Sequence, residues 1–444
     1  MASSQSTVAR ATFHLPLEMT IEILSRLPVK SLVRFKSVCK TWYDLIKTHD
    51  FISKHLQTQS TLNSTSLLVT SYNCETETHQ ISLLSNDGLS DGSINLDFPF
   101  LNGRIYDCTG VNDFSIVGIC NGLVCISLSP LGYPLILCNP STTRQFREIP
   151  GAKWDCDWDD ENMLYVRQVS FGFGFHYSAN DYKLIRIVSY TSSTRRNDIQ
   201  ADLYVMSTDT WTEIDVTKFS LFFGEMNEYG GYDTIVRFTS SSTSALLNGV
   251  FYWPATAVQN DQVVVVVMSF DMGNEVFGRI RTPVCLDRTW CGAYLQCIEL
   301  NDKLALVVSP DERGFDVWVL NEVESSWTHQ VKVESFPRIA SDMGNGEYSK
   351  ITVVGGLKNG ELLVTGHNLP GEIKLFSSDT KTRETMDLYF GQVSHGSCVY
   401  LYSGTLLPVM KANEIVLNKW NEKRKAYNFA ESTSVTWIKK KKLV

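Results

Sequence analysis

The sequence contains no long apolar run: its longest purely apolar stretch, residues 263–268, is far short of the roughly 18 residues a membrane-spanning helix needs. Its first ten residues lack the apolar segment of about 7 to 15 residues that a secretory signal carries, so a cytoplasmic or nuclear location is expected. The eight histidines include no HExxH pair, and Cys285, Cys291 and Cys297 are spaced six apart without a CxxC clamp, so no metal site is expected. Gly172-x-Gly174 lacks the third glycine of a dinucleotide loop, Tyr177 standing in its place, and reads better as strand. No G-x-S-x-G elbow marks a nucleophile. These absences leave neither a cofactor nor a catalytic residue to expect, and they direct attention to binding.

What is present is the composition of a folded chain. Hydrophobic residues make up 43% and charged residues 20%, which excludes a disordered or low-complexity protein. The 444 residues allow about three ordinary domains, or one small domain joined to a large repeat fold. Eleven cysteines are an odd number, and Cys120, Cys125, Cys138 and Cys297 sit in apolar runs, where a reduced thiol behaves as a small hydrophobe. The formal charge of -8 is unevenly placed: residues 1–56 carry +4 and residues 411–444 carry +6, which leaves -18 for residues 57–410. So acidic a body repels nucleic acid and attracts basic partners, an effect that salt weakens. Solubility alone is the plainer use of such charge.

Residues 1–13 are expected to be disordered and residues 14–56 to be helical. Ile21, Leu24 and Leu27 recur at helical spacing until Leu27-Pro28 interrupts them. Leu32, Phe35, Cys39, Trp42, Leu45 and Ile46 then line one stripe, while Lys30, Arg34, Lys36, Lys40 and Lys47 point elsewhere. About 40 residues of short helix bury such a stripe poorly alone. It either packs on the rest of this chain or meets another helical protein.

Residues 57–403 repeat a unit of four apolar strands. The first tight turns are Asn121-Gly122, Asn180-Asp181, Asn248-Gly249, Asn301-Asp302 and Asn359-Gly360, separated by 59, 68, 53 and 58 residues. Such dipeptides supply the positive φ that hairpins need. Second turns follow in phase from Asn139, Ser207, Phe270, Asn321 and Ser377. Four-strand units of about 50 residues predict a kelch-like β-propeller. Five blades are visible, and a sixth forms if the C-terminal strand 398–402 joins strands at 66–72, 79–85 and 94–98, closing the ring. A pair of open antiparallel sheets or a sandwich is the alternative.

In a four-strand meander, the turns between strands one and two and between three and four leave on one face. The tight turns all fall there. The long segments 151–167, 191–200, 217–243 and 334–349 fall on the opposite face, where recognition is expected. Residues 154–161, WDCDWDDE, hold five acidic residues and two tryptophans, and Glu225, Glu228, Tyr229, Tyr232 and Asp233 follow in the next long segment. Carboxylates and aromatic faces attract Lys and Arg. Trp154, Asp157, Trp158, Asp159, Asp160, Glu228, Tyr229, Tyr232 and Asp233 are therefore the candidates for holding a basic protein surface, the alternative being solvated loops. Residues 404–444 read as a basic tail with a helix expected over 413–429. The run Lys439-Lys440-Lys441-Lys442 is either a solvated end or a nuclear-import signal.

Leu15-Pro16, Ile23-Leu24, Leu27-Pro28, Ser31-Leu32-Val33-Arg34-Phe35, Val38-Cys39-Lys40 and Trp42 stand in the order of an F-box, and the segment resembles one. The body resembles the F-box-associated domain of plant F-box proteins, including S-locus F-box proteins. The resemblance rests on Ile119-Cys120-Asn121-Gly122-Leu123-Val124, Asn139-Pro140-Ser141-Thr142-Thr143-Arg144, Phe173-Gly174-Phe175 with Asn180-Asp181-Tyr182-Lys183, and Ser326-Trp327-Thr328. The resemblance implies a small all-α F-box followed by a large all-β domain. It also implies docking of a Skp-type adaptor through Leu15, Pro16, Ile23, Leu24, Leu27, Pro28, Leu32 and Val33, and through it a cullin scaffold of an SCF-type ubiquitin ligase. The propeller would then be the substrate receptor. Likeness to S-locus proteins implies a basic target such as a self-incompatibility ribonuclease, and other relatives imply other regulators. A propeller enzyme or sugar-binding module is the rival reading. Neither nucleic acid nor membrane is expected as a partner.

Overall fold

The computed structural model describes residues 15–61, 66–73, 78–84, 94–96, 98–101, 115–128, 134–142, 146–152, 165–191, 197–216, 237–238, 244–259, 262–283, 294–309, 314–333, 348–356, 361–368, 373–379, 385–388 and 398–409. The expected disordered segment 1–13, the Asn359-Gly360 turn and the expected 413–429 helix with its lysine run lie outside them.

Four helices come first: α1 (Leu17–Ser25), α2 (Val29–Phe35), α3 (Lys40–Lys47) and α4 (His49–Thr61). Pro16 and Pro28 cap α1 and α2, each with φ near the value its ring fixes, φ -53 and -59. Cys39 caps α3, its sulfur accepting from the Trp42 N–H at 3.4 Å. Thr48 Oγ1 accepts from the Phe51 N–H at 3.3 Å at the start of α4. Leu24, Val29, Leu32, Ile46, Phe51 and Ile52 form the core of this unit. The helical unit runs past the expected boundary at residue 56, because α4 continues to Thr61 to pack on α1 and α3.

The strands follow as antiparallel meanders. The first sheet holds β1 (Ser66–Asn73), β2 (Thr78–Leu84) and β3 (Ile94–Leu96), and the second β4 (Ser115–Cys120), β5 (Leu123–Ser127), β6 (Leu135–Cys138) and β7 (Phe146–Ile149). The third holds β8 (Tyr165–His176), β9 (Asp181–Thr191), β10 (Asn197–Val205) and β11 (Thr210–Glu213). In the fourth, β12 (Arg237–Phe238) and β13 (Ala245–Leu247) share one partner, β14 (Val250–Gln259), followed by β15 (Gln262–Asp271) and β16 (Val276–Arg281). The fifth is β17 (Tyr294–Leu300), β18 (Lys303–Ser309), β19 (Phe315–Asn321) and β20 (Ser326–Val333). The sixth is β21 (Tyr348–Gly356), β22 (Glu361–Asn368), β23 (Ile373–Asp379) and β24 (Thr385–Leu388). β25 (Cys398–Tyr402) then returns to the first sheet and pairs with β1, from Ser66 opposite Tyr402 to Thr70 opposite Cys398. The ring is closed by the two ends of the domain, as the sequence predicts.

The described hairpin turns use the predicted residues. Asn121, Asn180, Asn248, Asn301 and Asp302 all have φ between 50 and 58, and Gly122 and Gly249 have φ of 75 and 81. All four of the segments expected to be long and irregular contain some strand. β8 begins at Tyr165, β10 at Asn197 and β21 at Tyr348, and β12 sits inside 217–243. Parts of these stretches pair by backbone with a neighbouring strand, which the turn spacing alone does not reveal.

The core lies between successive sheets. Leu68, Ile81, Val124 and Ile136 join the first two, and Ile185, Leu203, Trp253 and Phe270 the third and fourth. Gly172 and Gly174 make one of these contacts possible. A Cβ at Gly172 would meet the Phe251 and Trp253 rings at 2.8–2.9 Å, and one at Gly174 would meet Leu246 at 2.5 Å. The segment is strand, as its reading predicts, and its glycines serve close sheet packing. Charged ties add order: Lys183 reaches the Met272 carbonyl at 2.8 Å and Glu275 at 3.0 Å, and Arg147 bonds Tyr204 and Asp209. Cys125, Cys138 and Cys297 are buried within the sheets, and burial raises their thiol pKa values; that of Cys120 rises to about 12.

Candidate interaction surfaces

The helical unit sorts its expected contact residues in two. Leu15, Pro16, Ile23, Pro28 and Val33 are exposed, with Leu15 at 58%, Ile23 at 50% and Val33 at 39%. Leu24 and Leu32 are at 1% and 0%, filling the core, and Leu27 is half-buried. A helix places residues three to four apart on one face, so once α2 turns Leu32 into the helical core its neighbour Val33 points outward. Leu17, Met19, Val38 and Tyr43 are also exposed. Seven of the eleven exposed large hydrophobics among the described residues thus fall between Leu15 and Tyr43.

The same unit carries its own electrostatic frame. Glu22 on α1 binds Arg26 at 2.7 Å and Lys54 on α4 at 2.8 Å. The hydrogen bonds from Lys54 and Arg26 hold its carboxyl at about 2. Lys47 stands over the Tyr43 ring, and burial with the charge of Lys47 lowers the Lys36 pKa. Lys47 thus stands beside one of the exposed apolar residues, Tyr43.

A tie between helices and sheets emerges that sequence reading misses. Asn139, fully buried, donates to the Thr405 and Leu407 carbonyls at 3.1 and 2.7 Å and accepts from the Ser141 N–H at 2.9 Å. Ser141 Oγ pairs with the Tyr402 hydroxyl at 2.8 Å, and Leu406 joins Val29 and Leu32 in the helical core. Residues 404–409 therefore belong to the folded body, because they bridge the second sheet and the helices; the expected tail boundary at 404 is too early. The Asn-Pro-Ser-Thr motif was a visible turn signal, but its partner lies 266 residues away.

In the centre of the ring, the innermost strand of each sheet, β25, β4, β8, β13, β17 and β21, lines one cavity of about 1150 Å³. The turns at Asn121, Asn248 and Asn301 border it. The loop candidates Trp154, Asp157, Trp158, Asp159, Asp160, Glu228, Tyr229, Tyr232 and Asp233 all lie outside the described residues. Among the described residues no three His, Cys, Asp or Glu side chains converge as metal ligands, and no helix is long and apolar enough to cross a membrane.

A family model described as the F-box associated beta propeller domain matches residues 76–354, and a model of the F-box domain matches residues 13–54. The chain belongs to the F-box-associated β-propeller family. Its relatives include Arabidopsis thaliana F-box/kelch-repeat protein At3g23880, 28% identical over 72% of this chain and 79% of that one. F-box protein At3g07870 from the same plant is 25% identical over 88% of this chain and 91% of its own. F-box protein CPR1, again from Arabidopsis thaliana, is 24% identical over 72% and 73%. The helices are thus the F-box, and the closed ring of sheets is the F-box-associated propeller.

Proposed function

We propose that the chain is the substrate receptor of an SCF-type ubiquitin ligase, its F-box docking a Skp-type adaptor and its propeller holding a protein target. The observation that carries this reading is the concentration of exposed apolar side chains between Leu15 and Tyr43, on a unit whose own core is already filled. Isolated exposed hydrophobics are ordinary, whereas a contiguous patch marks a docking surface. The lysines on the same helices favour an adaptor with an acidic rim. The chain itself performs no chemistry in this reading. The ubiquitin-charged enzyme supplies it, and the propeller raises the effective concentration of the target's lysines. A basic target fits the acidic body, and a cytoplasmic or nuclear location fits the pathway.

Co-purification with a Skp-type adaptor tests the reading. An Ile23→Asp/Val33→Asp variant, changed only at exposed positions, is expected to lose the adaptor while keeping its circular dichroism spectrum; Val323→Asp, at a 95% exposed turn position, is expected to keep it. A soluble wild-type protein that fails to retain the adaptor overturns the proposal.

A further inference from the structure

The described lining of the central cavity contains no lysine, arginine or histidine, yet it contains Glu299 and Asp302. Both are exposed to the cavity side rather than closed off in the sheets. In the same lining, Tyr177 is 74% exposed and packs edge-on against Phe175, ring centroids 5.1 Å apart. Tyr177, Glu299 and Asp302 line the same cavity. Lys303, the next residue after Asp302, begins β18 and is outside the lining. Among the described residues each innermost strand pairs with a strand on one side only, and its other edge borders the cavity; on β21 part of that edge is engaged, the Val353 N–H donating to Gln296 Oε1 at 3.1 Å and its carbonyl accepting from Gln296 Nε2 at 2.7 Å.

We infer that this cavity receives an extended, arginine- or lysine-bearing peptide segment of the target. This rests on the receptor reading above and names the target's chemistry and the place it enters. Two carboxylates with no competing cation in the described lining bind a guanidinium or ammonium group, and an exposed aromatic face adds a cation–π contact. The strand edges beside the cavity, outside the Val353–Gln296 bonds, offer what a small cation does not need and a peptide does: main-chain donors and acceptors. At about 1150 Å³ the space also exceeds the usual range of a small-ligand pocket, about 300–1000 Å³. The surrounding protein and the charge of Asp302 raise the Glu299 carboxyl pKa, a cost that an incoming cation relieves.

The test uses the full-length chain, co-expressed with the adaptor, and a fluorescent nine-residue peptide alternating glycine and arginine, read by anisotropy at physiological salt. Glu299→Gln/Asp302→Asn is expected to weaken binding about tenfold. Glu213→Gln/Glu322→Gln, which removes the same charge outside the cavity, is expected to stay within about twofold. Tyr177→Ala, an exposed and therefore structurally mild change, is expected to weaken binding as well. A wild type that does not bind, equal loss in both double variants, or equal binding of a citrulline peptide overturns the inference. So does displacement of the peptide by an equal concentration of spermidine, which would make a small polyamine the occupant. Adaptor retention is scored in the same preparations. Retention without peptide binding sinks only this inference, and peptide binding without retention sinks only the receptor reading.

Discussion

Trp211 on β11 donates its indole N–H to the carbonyl of Pro150, just beyond β7, at 2.6 Å. Trp327 on β20 repeats the bond to Arg281 at the end of β16, also at 2.6 Å. In each case the last strand of one sheet is fastened to the end of the last strand of the sheet before it. Each tryptophan stands two residues after a positive-φ turn residue, Asp209 or Ser325. Glu275 holds the same turn conformation in the fourth sheet, and two residues on Phe277 packs in the core without a donor. The position therefore asks for an aromatic ring, and two of the sheets add a hydrogen bond to it.

Replacing Trp211 or Trp327 by Phe should cost about 1 kcal/mol each, the net worth of one hydrogen bond. The two sites share no partner, so the double variant should lose about the sum. Urea denaturation measures this. An unchanged midpoint for Trp211→Phe would show that ring packing alone holds the sheets.

The repeat was legible because its signals are local. An Asn-Gly or Asn-Asp pair dictates its own backbone conformation, so five turns could be phased from the sequence, and the closure by 398–402 followed from a blade left one strand short. What stayed hidden depends on contacts distant in sequence. β12 forms from two residues that find an edge of β14, and Asn139 reaches a segment expected to belong to the tail. The adaptor candidates show the same divide. Their order in the chain identified the F-box, but only packing separates Val33, facing out, from Leu32, facing in.

That separation has a measurable consequence. Leu32→Ala should destabilise the F-box by about 2–5 kcal/mol, as for other buried leucines, and should weaken adaptor binding only through unfolding. Val33→Ala should change stability by less than about 0.5 kcal/mol and still weaken the adaptor complex. Thermal melts beside adaptor titrations distinguish the two, and a destabilised Val33→Ala would place that residue in the core instead.

Asn139→Ala should remove the restraint between helices and propeller. It leaves the Thr405 and Leu407 carbonyls without this donor, a loss of about 1–3 kcal/mol for buried polar groups. Because Leu406 is the residue between them and belongs to the F-box core, amide exchange should accelerate in 404–409 and in α2. Acceleration confined to 139–142 would mean that the two units are held together by apolar contacts alone.

Acid should loosen the molecule well before its carboxylates protonate. His55 on α4 donates from Nε2 to the Leu27 carbonyl at 3.0 Å, spanning the break between α1 and α2, while its buried Nδ1 has no hydrogen-bond partner among the described residues. A proton on Nδ1 would be stranded in the core, so burial lowers the His55 pKa, and burial likewise lowers that of His79 on β2 to about 4. With folded values below the usual 6.5, the unfolded chain takes up protons first as pH falls. The stability these groups contribute is complete above about pH 6.5 and declines as pH drops towards 4. Glu22, held at about 2 in the folded chain against an ordinary 4.5, loses its contribution mainly as pH falls below about 5, beneath the range that tests the histidines. The wild-type urea midpoint should therefore fall between about pH 7.5 and 5, and a His55→Gln/His79→Gln variant should show a flatter profile. An equal decline in both proteins would assign the acid sensitivity to groups elsewhere in the chain.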